Sequence, residues 1–247
     1  MIDPRLHIIS KRLGGIKRII AVSGSKGGIG KSTVASALAL CMAKNGCRTG
    51  LLDLDLSGPS THVILGAEGL YPKEDKGLVP PEIHGIKYMS IIYFSGNNPS
   101  PLRGQDISNI IIELLTITIW GQLDVLILDM PPGISDSILD IIRLIKRMEF
   151  LVVTTPSKIA IDVMKKELRI LVELNIPVIG ILENMRTKEF SALPDKISDL
   201  SIPLLGSINL DESIEDAMGN ADKLIKTVFF GQLEKLFIEQ IKDSRYA

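Results

Sequence analysis

The stretch SGSKGGIGKST, residues 23–33, sets two lysines, Lys26 and Lys31, around Gly27, Gly28 and Gly30. Glycine lets the backbone curl until successive N–H groups converge on an anion. An apolar run (RIIAVS, 18–23) leads in and a helical pattern leads out. Strand, glycine loop and helix N-terminus in that order gather positive potential where phosphates bind. Lys31 adds a full charge for the β- and γ-phosphates, and the Ser32 hydroxyl is a ligand for Mg²⁺. The dinucleotide pattern G-x-G-x-x-G would need glycine at Thr33, so it fails. The pattern G-x-x-x-x-G-K-[ST] fits except at its first position, which is Ser25. The segment therefore reads as a nucleoside triphosphate site built from Ser25, Lys26, Gly27, Gly28, Ile29, Gly30, Lys31, Ser32 and Thr33.

Carboxylates and an amide follow at strand ends. In LLDLDLSGPS (51–60), Asp53 and Asp55 are two apart and would share one side of an extended strand. Two adjacent carboxylates repel unless a metal, a lysine or a water network uses them. LDVLILDMPPG (123–133) is an apolar strand that delivers one carboxylate, Asp129, towards a metal. Pro131-Pro132-Gly133 then forms a rigid turn suited to sensing the γ-phosphate, while Asp124 at the other end of the strand is read as structural. GILENM (180–185) ends a further strand and carries Asn184, whose amide can both donate and accept.

The elements that must position these groups read as short apolar runs without alternation, the mark of a parallel sheet covered on both faces. Strands are expected at 18–23, 48–54, 86–92, 124–129, 149–154, 177–182 and 202–206, with helices over 30–44, 104–119, 135–147, 159–174 and 229–242. This alternation predicts a doubly wound, mostly parallel α/β fold in one domain, with 1–16 as an N-terminal extension and the Gly/Pro-rich 66–85 as a surface excursion. In the first helix, Val34, Ala37, Leu38 and Cys41 share a face, and Asn45-Gly46 is a stop signal. The last helix puts Phe230, Leu233, Phe237 and Ile241 on a core stripe; its polar side mixes both charges, unlike a lipid-binding helix.

A length of 247 residues with 45% hydrophobic and 23% charged composition suits one large α/β domain. A net charge of -1 gives no electrostatic footprint for nucleic acid. No run reaches the roughly 18 apolar residues of a membrane span, and charges interrupt the N-terminus where a signal peptide needs an apolar core. The expected location is cytoplasmic, with no nucleic-acid or membrane partner. Cys41 and Cys47 are too few for a disulfide framework; Cys41 reads as a small buried residue and Cys47 as a loop thiol.

Residues 26–32, KGGIGKS, resemble the deviant phosphate loop K-G-G-x-G-K-[ST] of the MinD/ParA superfamily of dimeric ATPases. The resemblance implies ATP and Mg²⁺ as ligands and a homodimer that sandwiches two nucleotides. Lys26 would reach across the interface to the partner's phosphates, in the manner of an arginine finger. It also implies a catalytic set of Lys26, Lys31 and Asp55, with Asp55 orienting the attacking water. Ser32, Asp53 and Asp129 would surround Mg²⁺, and Asn184 would recognise adenine. GLLDLDLSGPS (50–60), PLRGQD (101–106), WGQLDVLILDMPPGISD (120–136), VVTTPSKIAIDVMKK (152–166) and GILENM narrow the resemblance to the Mrp-type group, which carries iron–sulfur clusters to apo-proteins. Two departures stand out. Cluster-carrying members have a C-x-x-C pair after E-N-M, whereas 186–206 here contains no cysteine, and thiolates are the usual cluster ligands. Asn209 also stands where many members carry proline. The expected function is a slowly hydrolysing ATPase in iron–sulfur or other metallocentre maturation, serving a metalloprotein client as an accessory or with a partner that supplies the ligands. The alternatives are a positioning or partitioning ATPase and an ATP-gated switch or chaperone for another partner.

Overall fold

The computed structural model describes residues 4–24, 26–56, 58–95, 104–133, 136–187, 193, 197 and 201–242. In chain order the elements are α1 (Arg5–Leu13), β1 (Ile16–Ser23), α2 (Lys31–Lys44), β2 (Thr49–Asp53), α3 (Thr61–Leu65), β3 (Lys73–Glu74), β4 (Leu78–Val79), β5 (Glu82–Ile83) and β6 (Ile86–Ser90). Next come α4 (Ile92–Ser95), α5 (Gly104–Ile117), β7 (Leu123–Asp129), α6 (Asp136–Leu144), β8 (Met148–Thr154) and α7 (Lys158–Glu173). The chain then forms β9 (Val178–Arg186), β10 (Leu204–Asn209), α8 (Ser213–Ala217), α9 (Ala221–Leu224) and α10 (Val228–Lys242). An eight-stranded sheet has the order β10-β9-β8-β1-β7-β2-β6-β5. All its pairings are parallel except β5 with β6 at the edge.

Strand alternation splits the apolar side chains between two cores. Ile19 and Ala21 of β1, Leu126 and Leu128 of β7, and Phe150 and Val152 of β8 face the layer that holds Leu114 of α5, Ile141 of α6 and Met164 of α7. Their neighbours Ile20, Val22, Val125, Ile127, Leu151 and Val153 face the layer that holds Leu38 of α2 and Phe230, Leu233 and Phe237 of α10. The fold is thus the doubly wound α/β sheet expected, with helices on both faces. Among the described residues no helix is long and apolar enough to cross a membrane.

Several local expectations change. The segment 1–16 is not merely appended: α1 buries Ile9 and Leu13 in the first core, and β1 already begins at Ile16. Helix α2 is buried on every side from Val34 to Met42, because the sheet lies on one side and α3 and α10 cover the other. The excursion 66–85 contains the β3–β4 hairpin and the edge strand β5. Cys41 is fully buried in α2, where burial pushes its thiol up to about 12, and Cys47 is half-buried after the helix. Phe230, Leu233 and Phe237 form the expected core stripe, while the Ile241 side chain lies outside the described residues.

Candidate nucleotide site

β1 is the central strand, flanked by β8 and β7, so the chain winds outwards in both directions from its carboxyl end. Ligands of open α/β sheets bind at such a reversal point. Register brings the functional groups level there: Asp129 pairs with Val22 of β1 on one side and with Asp53 of β2 on the other. The glycine loop leaves β1 at this level. Gly28 and Gly30 take φ values of 77° and 79°, and Gly30 caps α2 with Lys31 as its first residue. Lys26, Gly27 and Gly28 are exposed, Ile29 is buried and anchors the loop, and Ser32 and Thr33 are half-buried. Ser25 lies outside the described residues.

Lys31 is almost wholly buried and its ammonium joins two carboxylates. Nζ donates to Asp129 Oδ1 at 2.5 Å and lies 3.8 Å from Asp55 Oδ2. Its distance to Ser32 Oγ is 3.4 Å. Burial raises the Asp129 carboxyl, against the pull of Lys31 and with the Asp53 charge adding to the rise. Asp129 Oδ2 is buried and has no hydrogen-bond partner among the described residues. An orphaned carboxylate oxygen beside the Ser32 hydroxyl fits a hard divalent cation that also takes phosphate and water ligands. Among the described residues no group of three or more His, Cys, Asp or Glu side chains could hold a metal ion.

The alternation argument for Asp53 and Asp55 does not survive, because β2 ends at Asp53. Asp55 reaches Lys31 from the loop that follows. Asp53 is completely buried and organises that loop. Its Oδ1 accepts from the Asp55 N–H at 3.0 Å; its Oδ2 accepts from the N–H groups of Ser60 and Thr61 at 3.2 Å and from Thr61 Oγ1 at 2.7 Å. Thr61 Oγ1 also lies 3.0 Å from the Tyr88 hydroxyl. Because an ionised Asp53 only accepts, Thr61 donates to it and the Tyr88 O–H donates to Thr61. Asp55 Oδ1 in turn accepts from the Gly58 N–H at 3.2 Å. Thr61 and Tyr88 carry no local sequence signal; Thr61 reaches Asp53 from the start of α3, and the pairing of β2 with β6 brings Tyr88 to Thr61.

After β7, the Gly133 N–H donates to the Gly24 carbonyl at 3.1 Å, which ties the Pro131-Pro132-Gly133 turn to the start of the phosphate loop. Asp124, at the far end of β7, is held by Arg48 and Lys17, as expected of a structural residue. Asn184 is buried and its Nδ2 donates to the Ile29 carbonyl at 2.9 Å. Gly30 must stay glycine there, since a Cβ would lie 2.4 Å from that nitrogen. Asn184 also opens onto a cavity of about 220 Å³, which Gly30, Thr33, Met185, Asn209 and Met218 help to line. The sequence singled out Asn184 and Asn209 but not the two methionines; Met185 follows Asn184 directly, whereas Met218, between Ala217 and Gly219, carried no such signal.

With this geometry in view, known proteins supply a frame. The family described as NUBPL iron-transfer P-loop NTPase, of the ParA type, matches residues 15–242. The chain belongs to this family. The iron–sulfur cluster carrier protein of Pseudomonas fragi is 42% identical over 177 residues, which cover 70% of this chain and 62% of that relative. The match thus spans less than two-thirds of the relative's length. The nucleotide-binding protein of Archaeoglobus fulgidus, solved in complex with ADP, aligns with a TM-score of 0.75 at 30% identity over 90% of this chain and 93% of that one. The septum site-determining protein MinD of Pyrococcus horikoshii, complexed with Mg-ADP, aligns with a TM-score of 0.69 at 18% identity over 92% and 97% of the two chains. That likeness establishes the MinD/ParA fold. Membership of the iron-transfer P-loop NTPases accords with the loop, the buried Lys31 and the carboxylates around it.

Proposed function

We propose that the chain is a Mg²⁺-dependent ATPase that works as a homodimer, hydrolyses slowly, and assists iron–sulfur or other metallocentre assembly in the cytoplasm. The observation that carries this reading is the buried Lys31 ammonium set between Asp129 and Asp55, at the mouth of a glycine loop whose first lysine, Lys26, is exposed. Lys31 moves its charge to the β- and γ-phosphates when nucleotide binds, and the loop N–H groups accompany it. Ser32 and Asp129 would hold Mg²⁺, which when bound would supply charge neutralisation at the phosphates. Asp53 keeps the loop beside this shell in register. Asp55 orients the attacking water, and Lys26 reaches the partner's phosphates. The cavity beside Asn184 receives the base. With its Nδ2 committed to Ile29, Asn184 offers its amide oxygen to the exocyclic amine of adenine.

The iron–sulfur cluster enters as cargo. Cys41 is buried with its thiol pushed up, so it is a poor thiolate donor, and 186–206 contains no cysteine. The chain therefore acts with a partner that supplies cluster ligands, or on another metallocentre client. The test measures ATP-dependent dimerisation by light scattering together with phosphate release. Lys26→Ala is expected to bind ATP as a monomer but to lose dimerisation and turnover, while Asp55→Ala accumulates an ATP-bound dimer. Normal turnover in both variants would sink the mechanism. Anaerobic reconstitution with iron and sulfide should leave no stoichiometric cluster on the chain alone.

A further inference from the structure

The wall of the cavity beside Asn184 departs from regular sheet geometry on both of its strands at one level. Met185 has φ of 57°, a left-handed conformation that strains a non-glycine residue. Opposite it, β10 shifts register between Ser207 and Asn209, and Asn209 then pairs with Arg186. Arg186 bridges the two irregular segments. Its Nε and Nη2 donate to Asn209 Oδ1 at 3.0 and 2.9 Å, and its carbonyl accepts from the Leu210 N–H at 3.0 Å. The Asn209 N–H donates to Gln232 Oε1 at 2.9 Å, a bond to α10 that proline could not make. Met185 and Asn209 line the cavity, whereas Arg186 is not among its lining residues. Met185 also reaches the phosphate loop, since a Cβ on Gly30 would lie 3.3 Å from its Cε.

Two donors of one rigid guanidinium on one amide oxygen fix the Asn209 rotamer and hold the strained turn at Met185 in place. We infer that Arg186 is a positioning residue for the nucleobase: through Asn209 it fixes the wall made by Met185 and Asn209, and so sets how tightly the base half of the nucleotide is held. It takes no part in holding the phosphates. The inference rests on the reading of this cavity as the base site.

The experiment compares, by calorimetry on the full chain, the affinity for Mg²⁺·ATP with that for Mg²⁺·tripolyphosphate, which has no base. Arg186→Ala is expected to weaken ATP about tenfold, the worth of one charge-assisted interaction, and to leave tripolyphosphate within about twofold. Asn209→Leu should match it. Asn209→Asp, which keeps an acceptor for Arg186, should stay within about threefold of the parent for ATP. Equal weakening of both ligands by Arg186→Ala would overturn the inference, because the residue would then be supporting the whole site. Unchanged ATP affinity in both Arg186→Ala and Asn209→Leu would also overturn it. If the parent protein binds tripolyphosphate as tightly as ATP, the base-site reading itself falls and takes this inference with it. Should Arg186→Ala fail to fold, Asn209→Leu set against Asn209→Asp decides the same question.

Discussion

Replacing Lys31 with methionine removes the cation from a site whose nearest anion is completely buried. Nζ lies 2.5 Å from Asp129 Oδ1, and the Asp129 side chain has 0% exposure. Stripping the partner from a buried charge costs about 3–5 kcal/mol if the charge must stay. Asp129 has an escape, because its carboxyl is already raised by burial and can take up a proton. The loss in Lys31→Met should therefore depend on pH. A carboxyl whose folded pKa exceeds its unfolded one contributes stability that is full below the unfolded pKa and is lost as pH rises through the folded pKa. Lys31 lowers the Asp129 pKa, so removing it extends that loss to higher pH. With one extra proton bound by the folded variant, the slope is about 1.4 kcal/mol per pH unit. Between pH 7 and pH 8.5, Lys31→Met should lose roughly 2 kcal/mol more than the parent protein. Urea unfolding of nucleotide-free protein across that range, with unchanged m-values, measures it. Parallel stability curves for the two proteins would refute the reasoning, because they would mean that Lys31 and Asp129 do not share a buried charge.

Three other outcomes follow from neighbouring geometry. Glu167 of α7 is 3% exposed, and burial raises its carboxyl to about 7, so folded stability should fall as pH rises through that value. Glu167→Gln should flatten the profile and gain up to about 3 kcal/mol on the parent at pH 8.5 relative to pH 5, read by urea midpoints; an unchanged profile would remove Glu167 as the titrating group. Thr61→Val leaves a buried Asp53 oxygen and the Tyr88 hydroxyl short of a partner, which should cost about 1–3 kcal/mol of stability. It should also lower turnover at saturating ATP, and Thr61→Ser should restore both. Gly30→Ala meets Asn184 Nδ2 at 2.4 Å in a backbone of φ 79°, so calorimetry should find ATP binding weakened at least about tenfold.

Strands buried on both faces are legible because each reads as an unbroken apolar run, and β1, β7 and β8 emerge within two residues of their expected limits. Strand β9 runs on to Arg186 rather than stopping at 182, because Glu183 and Asn184 are polar by type yet buried at 0% and 3%. Burial of that kind depends on partners from elsewhere, here Ser207 for Glu183 and the Ile29 carbonyl for Asn184. Helix α1 was hidden by the charges around its two core residues, Ile9 and Leu13, although their spacing of four is a helical signal. The two-residue strands β3, β4 and β5 are too short for any periodicity to form. At the site, the glycine loop and the strand-end carboxylates were readable because local order defines them. The Asp53–Thr61–Tyr88 chain and the Arg186–Asn209 bridge were not, since 27 positions separate Thr61 from Tyr88 and 23 separate Arg186 from Asn209. Only the assembled sheet brings those pairs together.

The register that sets Asp53, Asp129 and Val22 level also limits how the gene can change. Adding or deleting one codon within 123–129 would turn Asp129 from the ligand side of the strand to the other, together with every apolar side chain that follows the change. Such a lesion would remove the site and invert the core at once, so no single later substitution could repair it. The β3–β4 hairpin belongs to a separate two-stranded sheet, and its turn around Lys76 carries no site residue. Insertions there, whether arising in a lineage or placed by an experimenter as an epitope or a fluorescent label, should leave the central strands in step.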